Sequence, residues 1–274
     1  MSQLSAAPAG GASVGALLQH WRKARQLSQL GLAGEAGVSP RHLCFVETGR
    51  AKPSREMVLL LAEALDVPLR ERNALLLAAG FAPEFSESGL DQPELEAVRL
   101  ALDAMLEQQE PLPAVVMNRG WDIVRANRAG QKLFRFLLEG QPLRDATNVL
   151  RLMLHPDGLK PFVTDWPSVA ESLLRRVRRE ALGGVRDEVA LGLLREILAY
   201  PGMPAGGGGK ANQLAPASLP IVPVGFRRDG AEYRFFSAVT TLGTAHDVTA
   251  QEIRIECFFP VDRATAELAR ATLA

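Results

Sequence analysis

Apolar residues recur at helical spacing throughout the first 80 positions. Val14, Leu17, Leu18, Trp21 and Ala24 predict a helix over about 13–26, and Leu30, Leu32, Ala33 and Ala36 a second that Gly37 stops. Ser39 followed by Pro40 is an N-cap and first-turn signal for a third helix, which buries Leu43 and Val46 and ends near Gly49. Pro53-Ser54 opens a fourth with Met57, Leu60, Leu61, Ala64 and Leu65 inward, and Leu69–Ala79 is a fifth, stopped by Gly80. Residues 13–80 thus predict a five-helix bundle, preceded by a flexible tail over 1–12.

The pattern changes after a Pro- and Gly-containing linker over 81–92. Pro93 opens a helix carrying Leu95, Val98, Leu102 and Leu106 to about Gln109. Ala114–Asn118 and Trp121–Arg125 are β-rich runs separated by Arg119-Gly120, a hairpin signal, and Asn127 then starts a helix with Leu133, Phe134 and Leu137. A short helix over Asn148–Leu154 breaks at His155-Pro156-Asp157-Gly158. A longer one follows Asp165 with Trp166, Val169, Leu173, Leu174 and Val177 inward, then another over Val185–Tyr200. A Gly/Pro-rich loop over 201–218 precedes three strands, Ile221–Arg227, Tyr233–Leu242 and Glu252–Phe259, and a last helix capped by Asp262. Strand, tight turn, strand, helix is how a PAS-like sensor domain begins. The expected fold is therefore an α-class N-terminal bundle followed by a PAS-like α+β domain over 93–274.

At 274 residues, two domains are comfortable, and 47% apolar with 23% charged residues fits an ordinary globular protein. There is no apolar run of membrane-spanning length and no signal-peptide pattern, so a cytoplasmic protein without a membrane partner is expected. Cys44 and Cys257, far apart in sequence, are expected as reduced thiols. Net charge is zero, but residues 1–80 hold nine Lys/Arg against six Asp/Glu and the remainder is acidic. That imbalance suits nucleic-acid binding by one end of the molecule.

Two short helices joined by a Gly-containing turn form a helix-turn-helix, whose second helix enters the DNA major groove. Here the second helix exposes Arg41, His42 and Phe45, which no core requires. Arg41 can offer a bidentate fork to guanine O6 and N7. Phe45 has two readings, contact with a thymine methyl or packing against a partner or the second domain. His42 is either a DNA contact or a solvated surface residue.

Residues 17–68 resemble the XRE-type (Cro-like) helix-turn-helix family through Leu27-Ser28-Gln29, Ala33, Gly37-Val38-Ser39, Val46-Glu47, Gly49 and Pro53. The resemblance implies a structural Arg22–Glu47 pair, a backbone clamp at Gln29, base-facing Arg41 and Phe45, and phosphate contacts from Ser39, Thr48 and Arg50. It further implies a homodimer on double-stranded DNA with a near-palindromic operator. Cys44 stands where the family commonly has Ser.

Residues 93–260 resemble the ligand-binding domain of MmyB-like transcription regulators. The matching phrases are WDIVRAN at 121–127, NVLRLMLHPDGLKPFVTDW at 148–166 and LGTAHDVTAQEIRIECFFPVD at 242–262. The resemblance implies a PAS-like fold, an apolar pocket for a fatty-acid-like ligand and control of neighbouring metabolic genes. Bulky apolar residues of the strands and adjoining helices are the pocket candidates: Val116, Trp121, Phe134, Leu154, Phe162, Phe236 and Phe258. Any core would also use them. Arg151 and His155 are candidates for orienting an acidic headgroup, because a cation beside an apolar cavity orients a carboxylate; His155 also reads as a turn residue.

The arginines at 175, 176, 178 and 179 read either as a second nucleic-acid surface or as a solvated helix face near its C-terminus. Enzyme readings find little support. The four histidines are isolated, the glycine run at 206–209 lacks the Lys-Ser/Thr of a phosphate loop, and no nucleophile elbow appears. His246 and Asp247, adjacent on a strand, would face opposite ways, so they read as a turn and strand-start signal. No cofactor is expected beyond a bound fatty acid or similar apolar ligand. The alternative to a ligand-controlled regulator is a DNA-binding protein whose second domain only oligomerises or docks a protein.

Overall fold

The computed structural model describes residues 12–143, 147–182, 188–204 and 223–274. Most of the tail over 1–12, most of the Gly/Pro-rich loop and the start of the strand read from Ile221 lie outside these residues. The chain divides into two compact units. One holds the N-terminal helices and, from far along the sequence, residues 244–251; the other holds most of the remainder.

The helical unit comprises α1 (Val14–Ala24), α2 (Gln29–Glu35), α3 (Pro40–Glu47), α4 (Arg55–Ala64) and α5 (Leu69–Ala78). Serine hydroxyls start three of them: Ser13 accepts from Ala16 N–H, Ser28 from Gly31 N–H and Ser54 from Met57 N–H, at 3.3, 2.9 and 3.2 Å. Gly37, at φ +65°, ends α2 in the left-handed conformation that costs glycine least. Leu18, Trp21, Leu32, Leu43, Val46, Val58 and Leu61 fill the core. Gly15 lets α1 lie directly on the end of α3, where a Cβ would come within 2.4 Å of the Val46 carbonyl oxygen. Three expected core positions lie outside: Ala24 is exposed, Leu30 is 71% exposed and Leu60 43%. At 100° per residue Leu30 is turned away from Leu32 and Ala36, and Leu60 from Val58, Leu61 and Leu65, so each falls outside the face that packing buries.

Residues 244–251 complete this unit. Helix α11 (Val248–Glu252) starts at Asp247, whose carboxylate accepts from Ala250 N–H at 3.1 Å and from Ser88 N–H at 3.0 Å. Val248 N–H donates to the Ser86 carbonyl at 2.8 Å. The Pro68 cap of α5 has no side-chain acceptor, and Gln251 Oε1 supplies one by accepting from Leu69 N–H at 2.7 Å.

The second unit is built on a curled antiparallel sheet in the order β2-β1-β5-β4-β3, formed by β1 (Ala114–Met117), β2 (Ile123–Ala126), β3 (Val224–Arg228), β4 (Ala231–Thr241) and β5 (Arg254–Pro260). All four residues of β1 are buried because both faces are covered. Helix α6 (Glu96–Gln108) packs Leu102 and Leu106 against Ala114, Val116 and Ile255. The other face meets α7 (Arg128–Leu138), α8 (Val149–Leu154), α9 (Trp166–Leu182), α10 (Glu188–Leu198) and α12 (Arg263–Leu273) around Met117, Leu133, Phe226 and Phe235.

Buried asparagines fix the starts of α7 and α8. Asn127 Oδ1 accepts from Gly130 N–H and Ala114 N–H at 2.8 and 2.9 Å, fixing the start of α7 on β1. Asn148, which caps α8, donates to the Gly120 carbonyl and Asp122 carboxylate at 2.7 and 2.9 Å. Trp121 belongs to the turn rather than to the expected second strand, at φ +67°. Its backbone N–H donates to the Asn118 carbonyl, and its own carbonyl accepts from Val149 N–H. These bonds hold a conformation that bulky residues seldom adopt.

Candidate functional site

In the helical unit α3 buries Leu43, Val46 and Glu47 on one side. Arg41 and Phe45 project opposite them, one turn apart, with the Arg41 guanidinium 5.5 Å from the centre of the Phe45 ring. Arg41 is exposed while Phe45 and His42 are half-buried. Ser39 flanks the helix start in extended conformation with its hydroxyl unused as a cap. Thr48 and Arg50, both exposed, flank the other end; the Thr48 hydroxyl donates to the Cys44 carbonyl at 2.7 Å. The surface therefore gathers a planar cation, an aromatic ring and hydroxyls along one groove-sized helix.

Beneath it, Arg22 grips the Glu47 carboxylate through two bonds of 2.7 and 2.8 Å, and Gln29 Nε2 donates to the same carboxylate at 2.8 Å. Burial pushes the Glu47 carboxyl up, but the bonds from Arg22 and Gln29 hold it below its ordinary range. Arg22 is held above its own, chiefly by that same bond. The Gln29 amide thus joins the ends of α1, α2 and α3, giving one N–H to Glu47 and keeping a second.

The second unit contains a cavity of about 150 Å³ between α7, α8, α9 and the sheet. Trp121, Phe134 and Phe258 line it, together with Val115, Met153 and Phe226. Among the described residues four polar side chains join them: Ser172 and Arg176 of α9, Ser237 of β4 and Glu256 of β5. Two guanidinium groups lie over the Trp121 indole, Arg176 at 4.5 Å and Arg254 at 4.7 Å, and the indole N–H donates to Glu180 at 3.0 Å. Arg254 binds the same Glu180 at 2.6 Å and the carbonyls of Asn118 and Arg119 at 3.1 and 3.3 Å.

The other sequence candidates lie away from this cavity. Val116 faces α6 on the far side of the sheet, and Phe236 stacks on Phe259 with ring centres 5.5 Å apart. Leu154 is buried in the core, and Phe162 packs against it beneath the Arg228 guanidinium. Arg151 makes two 2.8 Å bonds to Glu196, whose carboxyl this arginine holds down at about 2. Burial and the Glu196 carboxylate push Tyr200 up to about 12. His155 meets the Tyr200 ring edge-on at 4.7 Å, and its Nδ1 accepts from Asp157 N–H at 3.1 Å within the turn.

Arg176 is the residue that reading the sequence passed over, hidden in a run of four arginines. Its signal was its phase: Val169, Ser172, Leu173 and Arg176 stand at i, i+3, i+4 and i+7, the inward stripe of α9. Both cysteines are free thiols, and burial raises the Cys257 thiol. Among the described residues no cluster could hold a metal ion, and no helix is long and apolar enough to cross a membrane.

Residues 13–75 match the helix-turn-helix domain model, and residues 98–271 match the MmyB-like transcription regulator ligand binding domain. Comparison with curated proteins found no match. One similar solved structure is described as an RNA-binding light-oxygen-voltage receptor. It aligns with 94% of this chain and 61% of its own at 12% identity, with a TM-score of 0.27, so the chain spans less than two thirds of its length. The two family matches account for most of the described chain. With a DNA-binding helix-turn-helix ahead of a cavity-bearing ligand-binding domain, it belongs to the MmyB-like transcription regulators.

Proposed function

We propose that this regulator acts as a cytoplasmic homodimer on a near-palindromic operator, working by binding rather than catalysis, and that a fatty-acid-like molecule in the cavity controls it. The observation that carries the reading is the cavity itself, apolar on most of its wall and polar at a few positions, the usual construction of a small-molecule site. An aliphatic chain with one polar end matches that wall. A PAS-like sensor fold is part of the proposal, supported by the strand, turn, strand, helix opening and the five-stranded antiparallel order. A body serving only for oligomerisation or docking would need no such cavity.

At the DNA, Arg41 reads a base and Phe45 meets a thymine methyl beside it; Gln29, Ser39, His42, Thr48 and Arg50 position the helix on the phosphates. The reading is supported by the exposure of Arg41 opposite the buried side of α3. A ligand acts by favouring one arrangement of two DNA-binding units over another. Residues 244–251 offer it a covalent route. They pack within the helical unit, and the strands on either side of them carry Ser237, Glu256 and Phe258 of the cavity. Neighbouring metabolic genes are the proposed targets.

Footprinting on the chain's own upstream region, with protein stripped of lipid and with the extracted lipid restored, tests this. The expected result is protection of two half-sites about one helical turn apart, changed by the extract. Identical footprints with and without the extract would overturn ligand control.

A further inference from the structure

Arg41 and Phe45 form one reading unit, an inference that rests on the proposed reading of a base by Arg41. One turn of α3 separates them, and the guanidinium carbon stands over the ring, 5.5 Å from its centre. Glu47, the acid of α3, is committed to Arg22 and Gln29. No carboxylate pairs with Arg41 among the described residues, so its N–H fork stays available. Phe45 is half-buried, and its carbonyl accepts from Arg50 and Ala51 N–H at 2.8 and 3.1 Å. The turn that ends α3 therefore holds the residue carrying the ring, and the ring covers one face of the guanidinium.

A guanidinium bidentate to guanine O6 and N7 lies in the plane of that base. With the guanidinium over its face, the ring is displaced along the base stack. Successive pairs rise by about 3.4 Å, so the ring meets the edge of the adjacent pair. Major-groove edges carry donors and acceptors, apart from the C5-methyl of thymine. A phenyl ring takes water from those polar groups and returns no hydrogen bond, whereas burying the methyl is favourable. The methyl of 5-methylcytosine is attached at the same ring carbon, and the ring of Phe45 has no polar atom that distinguishes O4 of one base from N4 of the other.

We propose that Arg41 and Phe45 together recognise a guanine beside a C5-methylated pyrimidine, with 5-methylcytosine accepted in place of thymine. Methylation of a cytosine at that position then turns a weak site into an operator. Phe45 is a specificity-determining residue that senses one methyl group, and a positioning residue for the Arg41 fork.

The test uses DNA duplexes enriched from a random library by the full chain. 7-Deazaguanine, which lacks the N7 acceptor, replaces each guanine in turn. A loss of at least about fivefold in affinity that Arg41→Ala abolishes marks the guanine that Arg41 reads. At the pairs beside it, thymine is compared with uracil and 5-methylcytosine with cytosine, so each comparison differs by one methyl group. The methyl is expected to tighten binding about fourfold in both comparisons, the worth of one buried carbon, and to have no effect in Phe45→Ala. Should that variant unfold, the two comparisons on the unaltered chain decide alone. Absence of a methyl gain, or a gain from thymine without one from 5-methylcytosine, overturns the inference and leaves base reading by Arg41 standing. Silence of 7-deazaguanine at every position removes that reading as well.

Discussion

Gln251 accepts the first backbone N–H of α5 across 182 positions of sequence, with its side-chain oxygen 2.7 Å from the Leu69 nitrogen. A helix opened by Pro68 has no acceptor of its own there, so a residue from the far end of the chain supplies the cap. Gln251→Ala is expected to lower stability by about 1 kcal/mol, the usual worth of an N-terminal cap, while Gln251→Glu keeps the acceptor and suits the helix dipole. Urea unfolding of the full chain, followed by helical circular dichroism, measures both.

The Arg22–Glu47 pair is buried, with the Glu47 side chain fully enclosed. Removing one partner leaves the other charged without compensation, so Glu47→Ala should cost about 3–5 kcal/mol and abolish operator binding along with the fold of the unit. A Glu47→Ala protein that unfolds at the same urea concentration as the unaltered chain would show that the pair contributes nothing.

Acid sensitivity follows from Glu196. Arg151 holds its carboxyl at about 2, below the value of about 4.3 expected in the unfolded chain. A depressed carboxyl contributes stability that is present above the unfolded value and is lost as pH falls through the folded one. Stability should therefore decline from about pH 5 to pH 2, and Glu196→Gln should flatten part of that decline. Both side chains are more than a third exposed, so added salt should shrink the effect. Unfolding midpoints at a series of pH values and two salt concentrations supply the comparison.

Arg41→Ala is expected to lose about 1–3 kcal/mol of discrimination at one base position. Gln29→Ala should weaken binding across sequences without changing preference. Binding to a library of operator variants separates the two effects, and silence of both substitutions would disprove the assignment of the reading surface.

Gly15→Ala places a Cβ within 2.4 Å of the Val46 carbonyl oxygen. Overpacking of this kind costs about 1–3 kcal/mol, and here it pushes on the end of α3. The expected outcome is a lower Tm and weaker operator binding from a substitution that touches no DNA, read by thermal unfolding and electrophoretic mobility shift.

Local chemistry made much of this fold legible. Ser13, Ser28 and Ser54 announce helix starts because a hydroxyl acts on backbone within three residues, and Gly37 announces an end because only local sterics decide a positive φ. The strand runs were visible because alternation and β-branched content are properties of neighbours. Trp121, Phe134 and Phe258 could be named as cavity candidates by size and position, yet Val116 and Phe236 had the same credentials and face the other side of the sheet.

The sequence by itself determined the order of elements, the helix-turn-helix with Arg41 and Phe45 outward, and the kinship of both units, since all three depend on spacing along the chain. Tertiary structure alone decided that Arg151 serves Glu196, that Arg176 reaches the cavity, and that Asp247 and Gln251 close the helical unit. An arginine's partner is whichever carboxylate the fold brings within a few ångströms, and that distance is set by packing between elements far apart in sequence.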